Sequence, residues 1–259
     1  MHPVIFQFGA FKLPAYGLMV AAGYLAAIFY ILGRAAAAGF KKEDLSDLVF
    51  YSVLSGMIGA KIFYAATYWE SFGTDLASRA AYMLHTLQYG FVFYGGLIFG
   101  AAAFYLAARR RGMNALKAAD LCAPALALGH AFGRVGCFLA GCCHGAPAGG
   151  FPFSVVFTNP SCEVAPALLG VPLYPTQLIE AAGNLVIFAL LHRELGKERS
   201  AGSVIAIYAA LYSVQRFLIE FLRGDDRGAL HLGLSPAQLI SAAAFAAAVA
   251  LFLGLKAKK

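Results

Sequence analysis

Charge is scarce in this sequence. Only 13% of its 259 residues are Asp, Glu, Lys or Arg, while 61% are hydrophobic. A soluble domain carries roughly 25% charged residues. No polar stretch is long enough to fold as a soluble domain, so an ordinary water-soluble enzyme is excluded. What remains is one domain embedded in a bilayer, residues 1–259. Met1 to Lys12 also lacks a basic region followed by an apolar core and a small-residue cleavage site, so the first apolar span is expected to be a retained helix. The net charge is +7, yet no aromatic-plus-basic recognition module accompanies it, and no nucleic-acid partner is expected. An internal repeat of the kind that builds two-halved transporters is also missing.

Apolar segments are what the chain has in abundance. A bilayer crossing takes roughly 20 apolar residues. Seven segments meet that need: about Pro14–Arg34, Ser46–Tyr68, Gly90–Ala108, Ala118–Leu139, Pro175–His192, Ala201–Leu222 and Pro236–Leu255. Pro14, Pro175 and Pro236 stand at starts, where the missing N–H costs least. Pro124 falls inside the fourth segment and predicts a kink. The expected fold is an all-α integral membrane protein, a bundle of about seven transmembrane helices.

The basic residues then set the orientation. Arg34, Lys41 and Lys42, then Arg109, Arg110, Arg111 and Lys117, then Arg193, Lys197 and Arg199, and finally Lys256, Lys258 and Lys259 fall on one side of such a bundle. Lys12, Arg79, Arg223 and Arg227 fall on the other. The positive-inside rule puts the thirteen in the cytoplasm, hence the C-terminus inside and the N-terminus outside. The longer connections, about 69–89 and 140–174, are then extracytoplasmic.

Charged groups that remain near or inside apolar runs are expensive, and so are candidates for function. Arg134 lies at the outer end of the fourth segment, between Gly133 and Gly136. It can snorkel to the interface, or its planar fork of donors can take a phosphate. In the sixth segment Tyr208, Tyr212, Arg216 and Glu220 recur every four residues and share a helix face, which Arg223 continues. Such a stripe can be a structural Arg216–Glu220 ion pair, a working site, or both. Glu180, after Pro175-Thr176-Gln177, needs a cation, and Arg134 or Arg216 can supply it. Lys61, in Gly59-Ala60-Lys61, is a further mid-span cation. Tyr94-Gly95-Gly96 opens the third segment, where the glycines permit close helix packing and Tyr94 places a hydroxyl at the outer interface, a common position for tyrosine in an aromatic belt. Tyr16-Gly17, near the start of the first segment, stands in the same position.

Cys137, Cys142, Cys143 and Cys162 lie at or beyond the outer face, and Cys122 within a span. A disulfide joining Cys142 or Cys143 to Cys162 is one expectation, plain packing of small residues another. Cys137, Cys142, Cys143 and His144 are weaker candidates for a metal, because their spacing is not that of a standard zinc motif. A catalytic thiol is the last option. The expectation is no bound metal and no cofactor.

Taken together the motifs resemble those of the bacterial prolipoprotein diacylglyceryl transferases. The resemblance is carried by Gly133-Arg134-Val135-Gly136-Cys137-Phe138 with Gly145, Tyr16-Gly17-Leu18-Met19, Gly59-Ala60-Lys61, Tyr94-Gly95-Gly96-Leu97-Ile98, Pro175-Thr176-Gln177-Leu178-Ile179-Glu180, and Arg216-Phe217-Leu218-Ile219-Glu220-Phe221-Leu222-Arg223. The motifs stand in the family's order and cover nearly the whole chain. The resemblance implies transfer of the diacylglyceryl group of phosphatidylglycerol to the lipobox cysteine of secreted prolipoproteins. A thioether forms and glycerol-1-phosphate leaves. It further implies a bacterial cytoplasmic (inner) membrane enzyme with its site toward the outer leaflet, in contact with membrane lipids. Catalytic roles fall to Arg134, Arg216, Tyr94, Glu220 and Tyr16. Binding of phosphatidylglycerol falls to Arg134, Arg216, Glu180, Arg223, Gly95, Gly96, Gly145 and Lys61.

Three positions depart from the family's pattern. Tyr94 stands where a histidine usually precedes Gly-Gly-Leu-Ile, Cys137 where the signature has asparagine, and Cys142 where a glutamate usually follows. A tyrosine with an ordinary pKa of about 10 is a poor base at neutral pH, so either Tyr94 is tuned, or another group such as His144 takes the acceptor's proton, or the reaction differs. Two further readings stay open: a paralogue acting on another glycerophospholipid or acceptor, and a non-enzymatic lipid-binding or transport protein on the same scaffold.

Overall fold

The computed structural model describes residues 1–9, 11–86, 90–225 and 233–257. Arg227, Lys258 and Lys259, counted above in the charge pattern, lie outside the described residues. The chain opens with a hairpin of β1 (Val4–Phe8) and β2 (Phe11–Pro14), paired antiparallel from Val4↔Pro14 to Phe8↔Phe11. Among the described residues eight α-helices follow: α1 (Ala15–Arg34), α2 (Lys42–Thr67), α3 (Leu76–His85), α4 (Phe93–Arg110), α5 (Ala115–Ala140), α6 (Thr176–Glu194), α7 (Ser203–Ile219) and α8 (Pro236–Lys256).

Seven of these helices coincide with the seven expected apolar segments. Five of them, α1, α2, α5, α7 with its 3₁₀ extension to Leu222, and α8, are long and apolar enough to cross a membrane. The protein is therefore a mostly helical, multi-pass membrane protein. The other two carry polar groups. α4 ends on Arg109 and Arg110, and α6 contains Gln177, Glu180, Asn184, His192, Arg193 and Glu194. The connection expected at 69–89 is not featureless. It holds a 3₁₀ turn, Trp69–Phe72, and the surface helix α3. Asp75 caps α3 by accepting from the Ser78 backbone N–H at 2.9 Å, satisfying a donor that a helix start leaves orphaned.

Contacts divide the described chain into two compact units: residues 1–31 with 119–259, and residues 32–118. In the second unit α2 and α4 meet through glycines. A Cβ on Gly56 would stand 3.2 Å from the Gly96 carbonyl oxygen, and one on Gly95 only 2.7 Å from the Phe63 Cβ. Small residues let helix backbones approach this closely, and apolar side chains alone provide no drive to do so in lipid. Arg111 closes the same unit by pairing with Asp44 at 2.7 Å and with Asp47.

In the first unit Gly23 of α1 faces Phe132 of α5, and Gly136 of α5 faces Tyr16 and Met19 of α1. Ala123, Ala127, Ile187, Leu191, Val204 and Tyr208 form a core between α5, α6 and α7. Asp120 of α5 accepts from the Gly202 and Ile205 N–H groups at 2.7 and 2.8 Å. This remote carboxylate does for α7 what an N-cap and a favourable charge at the helix dipole normally do. Pro124 sits inside α5 and is fully buried. After α5 the chain forms β3 (Val155–Val156) and β4 (Pro172–Leu173), paired antiparallel. They lie over a small second core of Phe157, Cys162, Val164 and Leu173.

Candidate functional site

The helices of the first unit bring three arginines toward one buried carboxylate. Glu180 is 1% exposed and lies 2.9 Å from Arg134 Nη2. The approach is off the direction of a well-formed hydrogen bond, because Glu180 Oε1 makes none among the described residues. Glu180 is also within electrostatic reach of Arg216 and Arg223. Arg216 Nη1 pairs with Glu220 Oε2 at 2.6 Å. Arg223 grips Asp225 with Nε and Nη2, at 2.9 and 2.5 Å. Each arginine thus has a carboxylate, which is the condition for holding a charge away from water. A guanidinium has five N–H donors, and Arg134 and Arg216 each give one terminal nitrogen to their partner, leaving donors for an anion.

Of the readings of the sixth segment, the structural ion pair is the one the contacts show. The Arg216–Glu220 pair exists, and it stands beside the other two arginines. Glu180's expected cation is Arg134. Tyr212 lies against Arg134, while Tyr208 hydrogen-bonds His130 Nδ1 at 2.9 Å. Glu220 has another partner that sequence reading missed: Ser235 Oγ donates to its Oε1 at 2.7 Å. Ser235 is also the N-cap of α8, in a reciprocal capping box with Gln238. The Ser235-Pro236-Ala237-Gln238 spacing carries that signal.

The loop after α5 is stitched to this cluster from three directions. Thr176 Oγ1 donates to the Cys143 carbonyl at 2.9 Å, and Gln177 Nε2 to the Cys142 carbonyl at 2.8 Å. The Gly145 N–H donates to the Tyr174 carbonyl, and the Ala146 N–H to the Leu222 carbonyl. Gly145 also forms an antiparallel bridge with Arg223. A Cβ on Gly145 would sit 2.5 Å from the Tyr174 Cβ and 2.9 Å from the Leu222 oxygen, so only glycine fits. His144, offered above as a proton acceptor, is buried with Nδ1 against the Gly145 carbonyl. Gly133 and Gly136 differ: Gly136 makes room for Tyr16 and Met19, whereas a Cβ on Gly133 would meet nothing within 4 Å.

The expected disulfide from Cys142 or Cys143 to Cys162 is not formed. All five cysteines are free, and Cys162 is buried in the second core with Phe157 and Leu173. Cys137, Cys142 and Cys143 instead converge, with their sulfurs all within 4.8 Å of one another. Hydrogen bonds from Cys137 and Cys142, then the Arg223 charge, hold the Cys143 thiol well below the ordinary thiol range against its burial. Cys142 is pushed up, as hydrogen bonds with Cys137 and Cys143 and burial favour its neutral form. Tyr16 is within electrostatic reach of all three cysteines and of Arg134.

The remaining expected residues belong to the second unit. Lys61 Nζ donates to Thr86 Oγ1 at 3.1 Å and stands over the Tyr64 and Phe91 rings. Gly95 and Gly96 lie at the α2–α4 contact, and Tyr94 is about half exposed beside Phe93.

Known proteins agree with the motifs over the same length. The sequence model of the prolipoprotein diacylglyceryl transferases matches residues 3–254. A phosphatidylglycerol–prolipoprotein diacylglyceryl transferase 2 of Clostridium perfringens is 36% identical, covering 93% of this chain and 90% of its own. The phosphatidylglycerol–prolipoprotein diacylglyceryl transferase of Clostridium tetani is 34% identical, over 93% and 92%. That of Bordetella bronchiseptica is 33% identical, over 98% and 95%. With a match of this extent and a site built from the same motifs, the chain belongs to the prolipoprotein diacylglyceryl transferase family.

Proposed function

We propose that this protein transfers the diacylglyceryl group of phosphatidylglycerol to the lipobox cysteine thiol of prolipoproteins. The observation that carries the reading is the convergence of Arg134, Arg216 and Arg223 on Glu180. Arg134 and Arg216 bind the lipid phosphate with the N–H donors their carboxylates leave over. As the glyceryl C–O bond breaks, charge grows on the departing glycerol phosphate, and preorganised cations stabilise that charge. The acceptor sulfur forms the new C–S bond, and glycerol-1-phosphate leaves. Glu180, Glu220 and Arg223 are positioning residues for the two arginines. Gly145 holds the Arg223 segment against the cysteine loop, and Tyr16 borders the acceptor side. In the second unit, taken by itself, Tyr94 is the catalytic candidate and Lys61, Gly95 and Gly96 are the lipid-binding candidates that the family resemblance implies.

In this reading the whole of 1–259 is one catalytic domain in the bacterial cytoplasmic membrane. It crosses seven times with the N-terminus outside, the C-terminus in the cytoplasm and the site toward the outer leaflet. Residues 69–89 and 140–174 are extracytoplasmic. The support is the basic residues of the connections, which alternate between sides as seven crossings require.

The test is direct. Purified protein is incubated with phosphatidylglycerol vesicles and a lipobox peptide, and the peptide is weighed by mass spectrometry. A gain of one diacylglyceryl unit is expected. Arg134→Ala and Arg216→Ala abolish it. An unchanged rate in either removes the phosphate role, and no product from the unaltered protein removes the reading.

A further inference from the structure

The thiol cluster at the end of α5 has no part in the transfer as described. Its geometry is specific. Cys137, Cys142 and Cys143 hold their sulfurs within 4.8 Å of one another. Four-coordinate zinc has Zn–S bonds of about 2.3 Å, which sets its sulfurs about 3.8 Å apart, inside the 4.8 Å within which all three sulfurs lie. The scaffold holds this arrangement. Cys137 is fixed on α5, and the chain then reverses through Gly141 at φ +87°. Cys143 at φ +59° has a left-handed conformation, the only non-glycine to do so among the described residues. That conformation is uncommon outside glycine, asparagine and aspartate. Gln177 and Thr176 pin the carbonyls of Cys142 and Cys143 to α6.

Charge and access fit a cation. Three thiolates around a divalent ion leave one negative charge, and Arg223 lies against Cys143, with Arg134 within electrostatic reach. Cys137 is buried, while Cys142 and Cys143 are partly exposed. Among the described residues no fourth His, Cys, Asp or Glu joins the three. A closed structural zinc site has four protein ligands, whereas a site with three keeps a position for a reactant.

We propose that Cys137, Cys142 and Cys143 form a three-thiolate site for a zinc-like divalent cation, whose open fourth position binds the thiol of the acceptor protein. The proposal rests on the transferase reading. It supplies the base that a tyrosine at position 94 does not. The acceptor S–H ionises on coordination and its proton goes to solvent, because a thiol bound to zinc is deprotonated outright. The bound sulfur then supplies the electron pair of the new C–S bond. The glyceryl C–O bond breaks, and its electron pair leaves with the glycerol phosphate. Nothing is oxidised or reduced.

The test uses the full-length protein in detergent, stripped with a chelator and titrated with zinc, cadmium or cobalt salts. One zinc per chain is expected, with an ultraviolet cadmium–thiolate absorption band. Zinc protects three cysteines from alkylation, mapped by mass spectrometry to 137, 142 and 143. Cys142→Ser weakens binding by more than roughly tenfold, while the doubly altered Cys122→Ser/Cys162→Ser protein binds as before. Where Cys142→Ser fails to fold, the alkylation map of the unaltered protein decides the matter. No stoichiometric zinc, binding indifferent to Cys142→Ser, or protection elsewhere overturns the site. A lipobox peptide shifts the visible spectrum of the cobalt form, and its Cys→Ser counterpart does not. An unshifted spectrum overturns the open position. These readouts need no turnover. Metal and thiol binding without product therefore faults the transferase reading alone, and undiminished product after metal removal faults the metal proposal alone.

Discussion

Arg134 and Glu180 make an ion pair whose two members are not equivalent. Glu180 is 1% exposed and Arg134 20%. A buried carboxylate left alone can take up a proton, but a guanidinium cannot give one away. Glu180→Gln therefore strands a charge, and removing one partner of a buried pair costs about 3–5 kcal/mol. Arg134→Gln leaves a carboxylate that protonates, so its loss of stability is smaller. Both variants are expected to lack transfer activity, and chemical unfolding followed by tryptophan fluorescence ranks their stability. Equal losses would show that the pair is not the reason either group is tolerated. Gly145 makes the complementary case for shape. The Cβ of Gly145→Ala meets Tyr174 and the Leu222 carbonyl, and overpacking of this kind costs about 1–3 kcal/mol. Because Gly145 bridges Arg223, activity falls with stability, whereas Gly133→Ala, with open space around it, keeps the fold. Sequence alone singled out Arg134, Arg216 and Glu180 because charge in an apolar run has few explanations. It could not foresee the Thr176 and Gln177 bonds to Cys143 and Cys142. Those partners are more than thirty residues apart and leave no local pattern.

Helices were legible where their own composition decides them. The seven apolar segments match α1, α2 and α4 to α8 to within a few residues, since proline starts and basic ends mark the boundaries. α3 was missed, because ten residues with no buried side chain carry no long apolar run. α6 shows the opposite case. Its Thr176, Gln177, Glu180 and Asn184 are polar but buried, with Thr176 and Gln177 bonded to the loop after α5 and Glu180 beside Arg134, so position rather than apolarity explains them. Two caps yield predictions. Ser235 caps α8 and donates to Glu220. Ser235→Ala should lose about 0.5–2 kcal/mol for the cap and lower activity by removing the hydroxyl that bonds Glu220 Oε1. Ser235→Thr keeps both contacts, while Ser235→Asp keeps the cap but sets a carboxylate against Glu220. Activity in the order Thr, Ala, Asp, with thermal stability lowest for Ala, is expected. Asp75 at α3 gives a pH dependence. Hydrogen bonds from the Ser78 hydroxyl and N–H hold its carboxyl below the usual range. A depressed carboxyl pKa stabilises the folded form above the unfolded pKa, and that contribution is lost as pH falls through the folded one. Protection of the Ser78 amide relative to its intrinsic exchange rate should fall with acid in that window, and Asp75→Ala should lack that protection at every pH.

At the scale of the molecule the open matter is the number of crossings, because α4 and α6 are less apolar than the other five. The termini cannot decide it. Five crossings and seven are both odd and put the two ends on opposite sides. The interior connections can. If α4 did not cross, Arg109, Arg110, Arg111 and Lys117 would share a side with the 69–89 connection. If α6 did not cross, Arg193, Lys197 and Arg199 would share a side with the 140–174 loop. Either outcome would move a basic cluster outside, against the bias of cytoplasmic loops toward lysine and arginine. The polar groups of α6 do not oppose crossing either. Gln177, Glu180 and Asn184 are buried against protein, and a polar group facing the protein interior is the form in which such residues occur within membranes. Single cysteines placed in the protein with its native cysteines replaced, and probed in intact cells with a membrane-impermeant thiol reagent, separate the alternatives. Ser71→Cys is labelled, whereas Lys41→Cys, Met113→Cys and Lys197→Cys react only after the membrane is opened. Labelling at 113 in intact cells with 197 still protected would remove both α4 and α6 from the bilayer, and labelling at 197 with 113 protected would remove α6 alone. Either would leave Arg134 and Glu180 to be explained without a helix pair that both cross the membrane.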